Sequence, residues 1–362
     1  MSKGFIDIAY KTGAGRYIQQ KDALDLLGSE ACKQGSKCLV IAGPHALDTA
    51  GDAVKTSLAT AQLPTVIQTY DGPTSYEAAT RIGKAGRENG CDVVIGLDGG
   101  RIMDLAKVVA YQNNWPLIEV PTSSATCAAF TPLSVMYHED GTSYEALRYE
   151  REIDAVIVDT TVLAQQPARL LAAGMLDAMA KSLEITNGYT TLSSRTESIQ
   201  RYSAYAYAHS NTEILFENAR KAYADVKDTV YTDAVERVTF TSLALTGIVS
   251  ALTRGFHQTA LAHRLYDGLR SIYPRESAPW LHGELVAIGL LMQATFNTMP
   301  AVRNDLEQLM SDLHMPTRLS HIGITTTDKR MNALQTCIEE SEFVAQSTEI
   351  QKRFRAAFES IQ

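Results

Sequence analysis

The chain has 362 residues, 45% of them apolar and 20% charged, with a formal net charge of −8. These values fit a soluble globular protein of two domains, and the acidic balance argues against nucleic acid or an anionic membrane as partner. No apolar run reaches the length expected of a membrane span, the opening MSKGFIDIAYK has no signal-peptide core, and five cysteines without a C-x-x-C pair point to free thiols in a reducing cytoplasm.

Along the first part of the chain, KCLVIAG (37–43), PTVIQTY (64–70), DVVIGL (92–97), PLIEV (116–120) and AVIVDT (155–160) are short runs rich in Val and Ile. Runs apolar on both sides suit strands buried on both faces. Helical stretches lie between them near 46–61, 75–89 and 101–113, and Gly43-Pro44, Gly72-Pro73 and Gly90 mark the joints. This βαβα order predicts a parallel sheet with helices on both faces. After Pro132, LSVMYHEDGTSYEAL reads as a hairpin turning at Asp140-Gly141. Beyond about residue 162 the pattern becomes helical, as in PARLLAAGMLDAMAKSLEIT, VERVTFTSLALTGIVSAL and HGELVAIGLLMQATF. The expected division is an α/β domain over 1–162 and an all-helical domain over 163–362, with a ligand cleft between them.

Three features carry candidate chemistry. In GLDGGRIMDLAK (96–107), Gly99 and Gly100 follow a strand and open a helix, an arrangement that lets backbone amides approach a phosphate. The plain alternative is a tight turn without a ligand. The loop VPTSSATCAAFTPLSVMY (120–137) is rich in hydroxyls, with Thr122, Ser123, Ser124, Thr126 and Thr131, and suits a diphosphate or an amide-bearing ring or is an ordinary polar loop. In the helical part, His257, His263 and His282 lie near one another in sequence, and Asp177 interrupts an apolar helix face. Two imidazoles and one carboxylate, with an open position, are a catalytic-metal pattern for Zn²⁺ or Fe²⁺. Each of these residues taken alone reads as a satisfied core or cap residue, and their spacing does not assemble them.

Six blocks in order, GAGRYIQ, GLDGGRIMDLAK, VPTSSATCAAFTPLSVMY, AAGMLDAMAKSLE, LAHRLYDGL and HGELVAIG, resemble the iron-containing alcohol dehydrogenase superfamily and its glycerol dehydrogenase-like branch. ATCAAFTPLSVMY is most similar to the hydroxycarboxylate dehydrogenases. The resemblance implies an N-terminal dinucleotide-binding domain and a C-terminal helical domain holding one divalent metal, zinc or iron, on Asp177, His263 and His282. It places Gly99, Gly100, Arg101 and Asp104 at the pyrophosphate, and Thr122, Ser123, Thr131, Leu133 and Tyr137 along the rest of the cofactor groove. It also implies self-association into a homo-oligomer.

Four positions depart from the family pattern. Asp98 replaces the first glycine of the turn, and its charge opposes a pyrophosphate unless it points away or pairs with Arg101. Gly43 stands where the branch has a ribose-binding acid, so the expectation leans to NADP(H) over NAD(H). Cys127 replaces the aspartate that contacts glycerol, which favours an anionic 2-oxo acid. Tyr266 replaces a second histidine that takes part in proton relay. The expected function is metal-dependent hydride transfer between NAD(P)H and a small carbonyl or alcohol, a 2-oxo/2-hydroxy acid or small polyol. The alternatives are a relative that binds a nucleotide or ligand with weakened catalysis, and a sugar-phosphate cyclase-like enzyme.

Overall fold

The computed structural model describes residues 12–254, 258–345 and 347–362. His257, one of the three neighbouring histidines, lies outside them. The chain divides into two compact units, one running up to Gln166 and including Thr229–Tyr231, the other comprising Pro167–Asp228 and Thr232–Gln362. The division falls after Gln166 instead of residue 162. The Gln166 side chain accepts a hydrogen bond from the Ser124 amide at 2.9 Å, which ties the connecting turn to the first unit.

The first unit is built on strands β1 (Tyr17–Gln20), β2 (Cys38–Ala42), β3 (Thr65–Thr69), β4 (Val93–Asp98), β5 (Leu117–Pro121) and β8 (Ala155–Asp159). They form one parallel sheet in the order β1-β8-β5-β4-β2-β3. Every residue of β2, β5 and β8 is buried, as is all of β4 except Asp98, as two-sided apolar strands require. The edge strand β3 is only half-buried, because one of its sides has no neighbouring strand. Its helices are α1 (Leu27–Cys32), α2 (Pro44–Thr60), α3 (Tyr76–Glu88), α4 (Gly100–Asn113) and α5 (Thr160–Leu163). Pro44 opens α2, the Ser75 hydroxyl accepts from the Ala78 amide to cap α3, and left-handed Asn114 ends α4.

The expected hairpin is present as antiparallel β6 (Leu133–Tyr137) and β7 (Ser143–Arg148). Lys107 pins it and the preceding loop to α4. Its Nζ lies 2.8 Å from Asp104 Oδ1 and donates to the carbonyls of Ala128, Thr131 and Leu133 at 2.8, 3.2 and 2.5 Å. Asp104 Oδ2 accepts the Val135 amide at 3.0 Å. The hydroxyl-rich loop is therefore held by a buried ion pair that the turn positions.

The second unit is all-helical: α6 (Ala168–Thr186), α7 (Ile199–Lys227), α8 (Asp233–Phe240), α9 (Thr246–Leu252), α10 (Leu261–Ile272), α11 (Pro274–Ser277), α12 (His282–Phe296), α13 (Pro300–Asp312), α14 (Met331–Glu339) and α15 (Thr348–Glu359). One expectation needs amending here. The continuous stretch Asp233–Leu252, 20 residues long, holds an 18-residue window of mean hydropathy 1.3 and by length and composition alone is apolar enough to cross a membrane. Of that window 67% is buried within the fold, as in a core helix. Helix α12 is buried on almost every side, the expected state of a helix apolar all round. Glycine makes that packing close. A Cβ at Gly283 would collide with the backbone oxygen of Ala173 on α6, and one at Gly289 would stand 2.6 Å from Ala262 Cα on α10.

Candidate metal and nucleotide sites

Those two contacts bring three distant residues together. Asp177 sits one helical turn beyond Ala173 on α6, His282 precedes Gly283 at the start of α12, and His263 follows Ala262 near the start of α10. The ligand atoms of Asp177, His263 and His282 lie within 4.8 Å of one another. Asp177 Oδ1 is 3.3 Å from Nε2 of each histidine. A tetrahedral site with metal–ligand bonds of about 2.0–2.1 Å has edges of about 3.3–3.4 Å, so these separations suit a divalent ion. Asp177 Oδ1 is also buried without a hydrogen bond of good geometry among the described residues, a cost that an ion on that oxygen removes.

Glu184, two turns beyond Asp177 on α6, sets the state of His263. Its Oε2 lies 2.5 Å from His263 Nδ1, and its Oε1 accepts the amides of Ala260 and His263 at 2.6 and 2.9 Å. The carboxylate thus holds the proton on Nδ1, leaves Nε2 for a ligand, and occupies the positive end of α10. Burial alone would lower the His263 pKa. The charge and hydrogen bond of Glu184, with the Asp177 carboxylate close to Nε2, outweigh it and raise the pKa to about 9. Burial alone would raise the Asp177 carboxyl, but Lys181 and the two imidazoles hold it well below the ordinary carboxylate range.

His282 is fixed through its helix. The Glu284 carboxylate accepts the Leu281 amide at 2.8 Å and pairs with Arg169 through two bonds of 2.6 Å, which joins the starts of α12 and α6. Tyr266, at the position of the missing histidine, packs edge-on against the His282 ring at 4.3 Å between centroids. It is a wall beside the metal constellation.

In the first unit, Gly99 is the N-cap of α4 and no side chain caps that helix. The hydroxyl-rich loop lies against the turn. The Thr122 amide donates to the Asp98 carbonyl at 2.9 Å, and Cβ atoms at Gly99 and Gly100 would stand 3.4 Å from Ser123 Oγ and 3.1 Å from Thr126 Oγ1. The open helix start and the space left by the two glycines fit a pyrophosphate. Gly43 is the N-cap of α2 on the adjacent strand end. Cys127 is buried in the same loop, and its carbonyl accepts from the buried Thr131 hydroxyl at 3.3 Å. Leu133 and Tyr137 lie on β6, and the Tyr137 amide donates to Thr74 at 2.8 Å.

Two expectations change. The carboxylate of Asp104 is buried and taken up by Lys107 and the Val135 amide, so it braces the hairpin and is not offered to a pyrophosphate. Arg101 is exposed and, among the described residues, forms no ion pair with Asp98.

Residues 14–160 match the family model described as iron-containing alcohol dehydrogenase. A glycerol dehydrogenase of Pseudomonas putida is 31% identical over 322 residues, covering 86% of this chain and 84% of the relative. The chain belongs to the iron-containing alcohol dehydrogenase family. Hydroxycarboxylate dehydrogenase A of Escherichia coli is 32% identical over 244 residues, 66% of this chain and 65% of that protein. The crystal structure of a probable glycerol dehydrogenase from Sinorhizobium meliloti superposes with a TM-score of 0.79 at 25% identity, covering 97% of this chain and 98% of that one. As an iron-containing alcohol dehydrogenase, the protein is an NAD(P)-linked, divalent-metal oxidoreductase acting on an alcohol group.

Glu184, Glu284 with Arg169, Gly283 and Lys107 escaped the sequence reading of this dehydrogenase. Glu184 had a signal, since it shares the face of α6 with Asp177 and is a second carboxylate in a buried helix. Gly283 had none, because a glycine in an apolar helix does not announce which neighbour it admits.

Proposed function

We propose that this iron-containing alcohol dehydrogenase transfers a hydride reversibly between a nicotinamide dinucleotide and a small carbonyl compound, a 2-oxo acid in preference to glycerol. One observation carries the reading: ligand atoms from three separate helices converge within 4.8 Å, around a buried carboxylate oxygen without a good hydrogen bond. Asp177, His263 and His282 would hold zinc or ferrous iron, to which two imidazoles and a carboxylate are suited. A divalent ion there supplies Lewis acidity that lowers the pKa of an alcohol oxygen. Glu184 keeps the proton on Nδ1 of His263 and so presents Nε2. Glu284 and Arg169 hold the start of α12, and with it His282, against α6. The glycine turn and the start of α4 bind the pyrophosphate, with Thr122, Ser123, Thr131, Leu133 and Tyr137 along the remaining groove. Cys127 leaves its part of the pocket uncharged, which supports an anionic substrate.

The test joins metal analysis of the purified chain to assays of 2-oxo acid reduction and glycerol oxidation, in the parent and in His263→Ala. The expected result is about one metal ion per chain and reduction that is lost on chelation and in the variant. Full activity in protein shown to hold no metal overturns the mechanism. Faster turnover of glycerol than of any 2-hydroxy acid overturns the substrate class.

A further inference from the structure

We propose that Asp98 holds the adenosine ribose and selects NAD(H) over NADP(H). The inference rests on the dinucleotide reading above and concerns which dinucleotide is taken. It starts from the sheet. In the order β1-β8-β5-β4-β2-β3 the chain goes from β2 to β3 on one side and then crosses to β4 on the other, the doubly wound pattern. Ligands of such sheets bind at the carboxyl ends of the two strands flanking that crossing, here β2 and β4. The register pairs Ala42 with Leu97, so the next residues, Gly43 and Asp98, stand side by side at that crevice.

Gly43 has φ −73° and ψ 155°, extended backbone open to any residue, so its conformation does not require glycine. What requires it is space. A Cβ at Gly43 would collide with Asp98 Oδ2. The carboxylate of Asp98 thus occupies the volume where a side chain of residue 43 would begin, reached from the neighbouring strand. Dinucleotide sites of this architecture place an acid near the end of a strand beside the phosphate turn, where it accepts the ribose 2′-hydroxyl. Here the acid is supplied from β4.

Its surroundings leave it available. Among the described residues the Asp98 carboxylate makes no hydrogen bond and no ion pair, it is half-buried, and it does not cap α4. An ionised carboxylate has acceptor sites enough for both ribose hydroxyls, and it repels a 2′-phosphate at close range. The absence of charge at position 43, which favoured NADP(H), therefore loses its force, because the charge has moved to position 98 while keeping its place in space.

The test is a fluorescence titration of the purified full chain with NADH and with NADPH. The proteins are the parent, Asp98→Asn, Asp98→Gly, and the double variant carrying Gly43→Asp with Asp98→Gly, with thermal melts to confirm folding. The parent is expected to bind NADH about tenfold or more tighter than NADPH, given the cost of juxtaposed like charges. Asp98→Asn and Asp98→Gly are expected to shrink that ratio about tenfold, by weakening NADH and tightening NADPH, and the double variant to restore it. Equal or tighter binding of NADPH by the parent overturns the proposal, and does so even if every variant misfolds. An unchanged ratio in folded Asp98→Asn also overturns it. If both nucleotides bind but the ratio fails in these ways, only the role of Asp98 falls. If neither binds to folded parent, the dinucleotide reading falls with it.

Discussion

Glu119 is a carboxyl group in the wrong solvent. It lies in the middle of β5, fully buried, its side chain over Gly96, with neither oxygen hydrogen-bonded among the described residues. Burial pushes its pKa well above the ordinary value; the Lys107 charge opposes this and Asp104 adds to it. The folded chain therefore keeps a proton that the unfolded chain releases above about pH 4.3. Because the folded state binds the extra proton, stability falls as pH rises, by about 1.4 kcal/mol per pH unit until the folded-state pKa is passed. Glu119→Gln keeps the shape and removes the titration. The variant is expected to match the parent near pH 4 and to gain on it as the pH rises, until the folded-state pKa of Glu119 is reached, in urea melts at stepped pH. A gap that stays constant over that range would mean that Glu119 is charged in the fold.

At the scale of elements, the metal constellation depends on how closely three helices approach. Gly283 lies beside the ligand His282, and any side chain there meets the carbonyl of Ala173, four residues before Asp177 on the same helix. Gly283→Ala forces α12 away from α6 and carries His282 with it. Overpacking of this kind costs roughly 1–3 kcal/mol. A larger consequence is expected in metal content, since an edge of 3.3 Å between Asp177 Oδ1 and His282 Nε2 leaves little slack. Gly289→Ala tests the other contact, because its Cβ would press on Ala262 of α10, beside the ligand candidate His263. Both variants are expected to melt earlier and to retain less bound metal than the parent on dialysis. Parent-like metal content in folded Gly283→Ala would show that the α6–α12 contact does not set the ligand geometry.

At the scale of the molecule, the parallel sheet, the hairpin and the helical second unit were legible because each is written as local periodicity: two-sided apolar runs, alternation around Asp140-Gly141, and helical spacing beyond residue 162. The candidate metal ligands stood out as three costly polar groups in apolar helices, but their convergence was not legible, because it rests on Gly283 and Gly289, which carry no chemistry of their own. Asp104 misled because its type and position suited a phosphate site while its partners, Lys107 and the Val135 amide, are set by the hairpin's return to α4. That Asp98 reaches the place where a Gly43 side chain would begin was not legible either, since a list of positions cannot show that two strands share one volume. The two units also divide the chemistry between them. All the ligand atoms of the metal constellation belong to the second unit, whereas the glycine turn, Asp98 and the hydroxyl-rich loop belong to the first. Asp177→Asn removes a ligand charge whose partners Lys181, His263 and His282 all belong to the second unit. It is expected to lose its metal and all dehydrogenase activity while binding NADH within about twofold of the parent, since none of those partners belongs to the unit that carries the nucleotide turn. Metal analysis and fluorescence titration of the same preparation check this. A fall in NADH affinity as large as the fall in metal content would show that the two sites are built as one.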